Sequence, residues 1–129
     1  MITKITHLTL FVHNQDDAVQ FYTEKLGFKV HTDAMFGPAL RWLTLHTQSQ
    51  PDFELVLMLA TNEQEKELVG KQGGKHPFFT LESNDIVIDY GVLLANGVQF
   101  TAPPEKQPWG TATSLRDLYG NEIYMVQVS

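Results

Sequence analysis

The sequence predicts an α+β protein made of two paired βαβββ modules that form a curled mixed sheet with a central cleft. Three observations carry this. Strand-like and helix-like periodicities follow the order strand, helix, strand, strand, strand, and then repeat that order. The glycines that end the two predicted helices, Gly27 and Gly97, lie 70 residues apart, and Leu26-Gly27-Phe28 is echoed by Asn96-Gly97-Val98. Glu54 and Tyr124, both in the fourth strand of their halves, fall at the same 70-residue offset. A unit of this size exposes one face of its sheet, so two such units are expected to pair across a cleft.

Ile2 to Val12 alternates apolar and β-branched residues with other types, which is a strand pattern. Asn14 to Asp17 supplies helix-capping residues. Ala18, Phe21, Tyr22 and Leu26 recur at helical spacing, and Gly27 follows as the C-cap. Phe28 to Met35 returns to an extended pattern, Gly37-Pro38 marks a turn, and Leu40 to Thr47 is a strand. Gln48 to Asp52 reads as a loop because of its polarity and Pro51, and Phe53 to Ala60 as an apolar strand broken only by Glu54. Asn62 to Leu68 is polar and helix-tolerant, and the glycines of Gly70 to Lys75 read as a flexible connection.

The plan then restarts. Pro77 to Glu82 is a strand. Asn84 or Asp85 caps a helix with Ile86, Tyr90, Leu93 and Leu94 on one face, which Gly97 closes. Val98 to Thr101 is a strand, Pro103 to Pro108 a loop, Thr111 to Arg116 a strand, Asp117 to Asn121 a turn, and Glu122 to Val128 the last strand. One domain of 129 residues results, with module one over 1–60, a linker over 61–75 and module two over 76–129.

Composition narrows the function classes. There is no cysteine, so disulfide and thiolate chemistry are excluded and any metal would need His, Asp or Glu ligands. The net charge is -6 and the nine Lys and Arg residues are scattered, which argues against nucleic acid. No apolar run approaches the roughly 20 residues of a membrane span. The N-terminal stretch lacks signal-peptide features, so a cytoplasmic location is expected. No serine–histidine nucleophile motif, phosphate loop or HExxH motif is present.

The stretch His7-Leu8-Thr9-Leu10-Phe11-Val12, followed by Ala18, Phe21-Tyr22 and Leu26-Gly27-Phe28, resembles the opening motif of vicinal oxygen chelate proteins, the glyoxalase, bleomycin-resistance and extradiol-dioxygenase group. Gly110-Thr111-Ala112-Thr113 through Arg116-Asp117-Leu118-Tyr119-Gly120-Asn121 resembles their final hairpin, with Leu118 and Tyr119 in place of the Pro and Asp of the usual Asp-Pro-Asp-Gly turn. The resemblance spans the chain and implies paired βαβββ modules, frequent homodimers and no single reaction.

It also implies a ligand set for a divalent metal, with one residue on each of four strands. His7 and Glu54 match the first two places. The third falls at about Phe78, with His76 two residues earlier and so about 7 Å away on the same face. The fourth falls at Tyr124, with Glu122 two residues earlier. Phe78 has no donor atom, so the site reads as degenerate, and glyoxalase I activity is not expected. If a metal binds (Ni, Fe, Mn, Co or Zn), its ligands would be His7, Glu54 and His76.

The resulting reading is a homodimer that binds a small, partly apolar organic molecule. His7, Glu54, Tyr124 and Arg41 are candidate polar contacts. Phe78 and Trp109 are candidate apolar walls, and Phe36 and Trp42 further aromatic candidates. Were it an enzyme, Glu54 or His7 would move a proton next to a carbonyl. The rival is a divalent-metal-dependent lyase or dioxygenase. Arg116 is expected to stabilise the last turn. His13, His31 and His46 are expected at the surface without partners.

Overall fold

A computed structural model describes residues 1–129. The chain divides into two compact units, Met1–Val69 and Gly70–Ser129.

The first unit contains β1 (His7–Val12), α1 (Gln15–Gln20), β2 (Lys29–Phe36), β3 (Leu40–Thr47), β4 (Gln50–Leu59) and α2 (Glu63–Leu68). Its sheet has the order β1-β4-β3-β2, with β1 parallel to β4 and the other pairs antiparallel. Asn14 caps α1 by accepting from the Asp17 N–H at 2.9 Å, as its position before the apolar periodicity predicts. After Gln20 the helix widens into a π-helical turn over Phe21–Lys25, and Thr23 donates back to the Val19 carbonyl at 2.7 Å. Along the strands, Leu10, Val12, Leu43, Leu45, Leu55 and Leu57 alternate onto one buried face, where α1 contributes Ala18 and the π-helical turn Tyr22. The opposite face points away from α1, and α2 contacts β1.

The second unit contains β5 (Phe79–Glu82), α3 (Ile86–Ala95), β6 (Gln99–Phe100), β7 (Glu105–Gln107), β8 (Gly110–Arg116) and β9 (Glu122–Val128). The order β5-β9-β8-β6 repeats that of the first sheet, with β5 parallel to β9. Asp85 caps α3 by accepting from the Ile88 N–H. Thr113, Leu115, Ile123 and Met125 form the buried face of β8 and β9, and Tyr90 stacks edge-on against Phe100 at 4.7 Å. The α+β class and the repeated βαβββ plan are therefore present.

Several boundaries differ from the expectations. The first strand starts at His7, not Ile2. β4 starts at Gln50, because Thr47 and Gln50 close a tight hairpin. Pro51 is tolerated there because it precedes the stretch of β4 that pairs with β1, so its missing N–H breaks no ladder bond with that strand. The segment from Pro103 to Pro108, expected as loop, contains β7. β6 and β7 pair with opposite ends of β8, just as the single strand β2 runs along β3. Pro103 and Pro104 have no backbone N–H to continue such a strand, so the second unit holds it in two pieces. The glycine-rich segment forms hydrogen-bonded turns, with Gly74 bonded to Lys71 and His76 to Gly73.

Gly110 is where β8 crowds β9. Its φ is +147°, and a Cβ there would sit 2.2 Å from the Gln127 carbonyl oxygen. Gly110→Ala should destabilise the protein by about 2 kcal/mol or more, through strain and overpacking together. Urea unfolding reads this directly, and an unchanged midpoint would contradict the close approach.

Candidate functional site

β1 and β4 run in parallel register with His7 directly across from Glu54. Period-two alternation then puts His7, Thr9 and Phe11 of β1, and Glu54, Val56 and Met58 of β4, on the face away from α1. On β3 the same face carries Leu40, Trp42, Thr44 and His46, and on β2 Thr32, Ala34 and Phe36. A β-bulge between Val30 and Thr32 inserts His31 as an extra residue, and this turns its ring onto that face.

Glu54 is the centre of the arrangement. Its Oε1 accepts from the Thr44 hydroxyl at 2.7 Å and lies 3.1 Å from His31 Nδ1, and its Oε2 lies 3.3 Å from His7 Nε2. Its side chain is 16% exposed, so these neighbours replace most of its water. The Thr6 hydroxyl is 2.7 Å from His7 Nδ1, so both nitrogens of that ring are engaged. The His7 ring tilts against Trp42 at 5.9 Å, and the rings of His31 and His46 meet edge-to-face at 5.8 Å. His46 Nδ1 bonds the Thr47 carbonyl at 2.7 Å.

His31 is exposed, as expected, and His46 half-buried, but the expectation that they lack partners is corrected: both have them, and His31 lies against the Glu54 carboxylate. The bulge that aims His31 leaves no mark in the hydrophobic pattern, so alternation alone could not find it. His46 was within reach, since it alternates with Thr44 and Trp42 on one strand face.

Arg41 lies on the other face of β3. Its Nε and Nη2 donate to Asp33 at 2.9 and 3.0 Å, and its Nη1 donates to Asp16 at 2.7 Å. Those two aspartates hold the guanidinium pKa above its already high ordinary value, against the opposing effect of burial. A cavity of about 170 Å³ at this end of the unit is lined by Ala39, Leu40, Arg41, Met58 and Gln15 among others. Gln15 is buried and donates from Nε2 to the Arg41 and Leu57 carbonyls.

In the second unit the structure joins two of the candidates. Trp109 Nε1 donates to the Tyr124 hydroxyl at 3.1 Å, and Trp109 itself is half-exposed. Tyr124 also lines a cavity of about 150 Å³ with Thr101, Pro103, Glu105 and Ser114. By register the residue across from Tyr124 is Thr80, with Phe78 two residues earlier and stacked edge-on against Phe79. Glu122 accepts from Ser114 and pairs with Arg116, whose Nη1 also donates to the Gly120 carbonyl in the last turn. In that turn Asp117 accepts from the Tyr119 and Asn121 N–H groups, so an aspartate-capped turn forms without the Pro.

The sequence model of the Glyoxalase/Bleomycin resistance protein/Dioxygenase superfamily matches residues 4–125. The chain belongs to this superfamily. It is 35% identical over 129 residues to the Uncharacterized protein YurT of Bacillus subtilis (strain 168), covering 96% of this chain and 98% of that one. Among solved structures it is similar to UcmS2, at 34% identity with a TM-score of 0.86 and 98% of both chains covered. It is also similar to TnmS3, an antibiotic binding protein from Streptomyces sp. CB03234, at 27% identity with a TM-score of 0.81, covering 99% of this chain and 98% of that one.

The divalent metal used by some members of the superfamily does not fit the residues present. No group of three or more His, Asp or Glu side chains is placed to hold an ion. Glu54 is already shared among Thr44, His7 and His31, and neither Phe78 nor Thr80 supplies an imidazole.

Hydrogen bonds from Arg41 hold the Asp33 carboxyl below its ordinary range, aided by the charge of Arg41 and opposed by desolvation. A lowered folded-state pKa contributes stability that is fully present above the unfolded value of about 3.9 and is lost as pH falls through the folded value. Asp33→Asn should therefore lower Tm by a constant amount above about pH 5, and the gap to wild type should close below about pH 4. A gap independent of pH down to pH 2 would contradict the ion pair.

Proposed function

We propose that this chain binds a small, partly apolar organic molecule on the face of its first sheet that points away from α1, as a binding or sequestering protein and not as glyoxalase I. The observation that carries the reading is the two-part character of that face. One end holds Glu54 with its donors Thr44, His7 and His31. The other end presents Phe36, Leu40, Trp42 and Met58, with Phe36 60% and Leu40 41% exposed. Exposed apolar side chains gathered beside a few ordered polar groups are the composition of a ligand site. The likeness to an antibiotic binding protein at 27% identity supports the same class of function.

Satisfied internally, Glu54 organises the polar end and needs no metal for that. Tyr124, Trp109 and Phe78 of the second unit belong to the proposal as a second contact surface, to be tested separately. A homodimer and a cytoplasmic location are also part of it. No helix is long and apolar enough to cross a membrane.

Quenching of tryptophan fluorescence by a panel of polycyclic aromatic compounds tests the reading. Phe36→Ala and Leu40→Ala should each weaken the best binder at least about fivefold, the loss expected for one well-buried apolar contact. Trp42→Phe should remove most of the quenching if the first unit is the site. Quenching that survives Trp42→Phe and disappears with Trp109→Phe would move the site to the second unit. Sedimentation equilibrium should give twice the 14.6 kDa chain mass, and a monomer at micromolar concentration would sink the dimer.

A further inference from the structure

We infer that the molecule recognised on this face carries a neutral, protic hydroxyl, a phenol or an enol, on a flat apolar body, and that its one hydrogen is accepted by Nε2 of His31 or of His46. The inference rests on the binding reading above and deepens it. It begins from which ring nitrogen carries hydrogen. His31 Nδ1 lies 3.1 Å from Glu54 Oε1, and an ionised carboxylate has no hydrogen to offer, so the hydrogen is on Nδ1. Thr32 Oγ1, 2.8 Å from the same nitrogen, shares it. His46 Nδ1 lies 2.7 Å from the Thr47 carbonyl, which is also acceptor-only, so that nitrogen carries the hydrogen too.

A neutral imidazole has one N–H. With Nδ1 committed in both rings, each Nε2 is a bare lone pair, and neither has a hydrogen-bond partner within the chain. The two rings stand 5.8 Å apart and nearly perpendicular, and the His31 side chain is 40% exposed. His7 differs. Its Nε2 faces Glu54 and its Nδ1 meets the Thr6 hydroxyl, so it has nothing left for a ligand.

An imidazole lone pair near a carboxylate repels a ligand carboxylate or phosphate and favours a hydrogen donor. Glu54 already accepts from Thr44 and has two imidazole nitrogens within 3.3 Å, so it exerts little further pull on a cation. The only arginine of this unit lies on the other face, bonded to two aspartates. From Thr44 to Leu40 the strand runs about 13 Å, room for two or three fused rings along Trp42 to Phe36.

Calorimetry on the full chain with 9-phenanthrol and its methyl ether tests this. The phenol should bind about five- to tenfold more tightly than the ether, the range for one ligand hydrogen bond. His31→Ala and His46→Ala should each reduce that ratio, and the double variant should erase it while leaving the ether within about twofold of wild type. Glu54→Gln should reduce the ratio as well, because the amide no longer fixes the His31 tautomer. Equal affinity for phenol and ether, a ratio that survives the double variant, or tighter binding of an aminomethyl analogue would each overturn the inference alone. Failure of both compounds to bind would sink the binding reading and this inference with it.

Discussion

A carboxylate inside an apolar strand is the constraint on which the first unit depends. Glu54 stands between Phe53 and Leu55, and β4 is an inner strand with partners on both sides. A mostly buried charge there is tolerated only if its oxygens are satisfied. The sheet meets this demand from three other strands: Thr44 from β3, His7 from β1 by parallel register, and His31 from β2 by way of a bulge. Thr44, His7 and His31 are each oriented by Glu54, while His46 is held by the Thr47 carbonyl.

The second unit uses the same topology with different chemistry. Tyr124 replaces the carboxylate at the corresponding place on its inner strand, Thr80 stands across from it, and Trp109 supplies the hydrogen bond. A phenol needs fewer donors than a carboxylate, and no imidazole gathers around it. The duplicated fold thus carries one histidine-rich face centred on a carboxylate and one centred on a tyrosine. This asymmetry is why the four-strand ligand set implied by the superfamily resemblance is not met.

Much of this was legible in the sequence. The caps fall within the expected segments, Asn14 in Asn14 to Asp17 and Asp85 from the pair Asn84 or Asp85, and the glycines Gly27 and Gly97 take positive φ. The repeat that begins with their 70-residue spacing is a true repetition of sheet order. Glu54 stood out because a charge interrupting an apolar strand demands a partner. What could not be read was geometry that pattern does not encode. The bulge at His31 breaks alternation without any Gly or Pro to announce it. Arg41 carries no mark of its pairing with Asp16, 25 residues away. The register of β5 places Thr80 across from Tyr124, whereas counting from Gly97 pointed to Phe78, because Thr80 lies only 17 residues before Gly97 while His7 lies 20 before Gly27.

The central claim is that Glu54 dictates the histidine tautomers, and ring-nitrogen NMR of the 15N-histidine-labelled protein at neutral pH tests it most directly. His31 and His46 should be protonated on Nδ1 and bare on Nε2, and His7 should show the reverse. In Glu54→Gln the His31 pattern should change while that of His46, fixed by the Thr47 carbonyl, should not. A hydrogen on His31 Nε2 in the wild type, or a His31 ring indifferent to Glu54→Gln, would contradict the account.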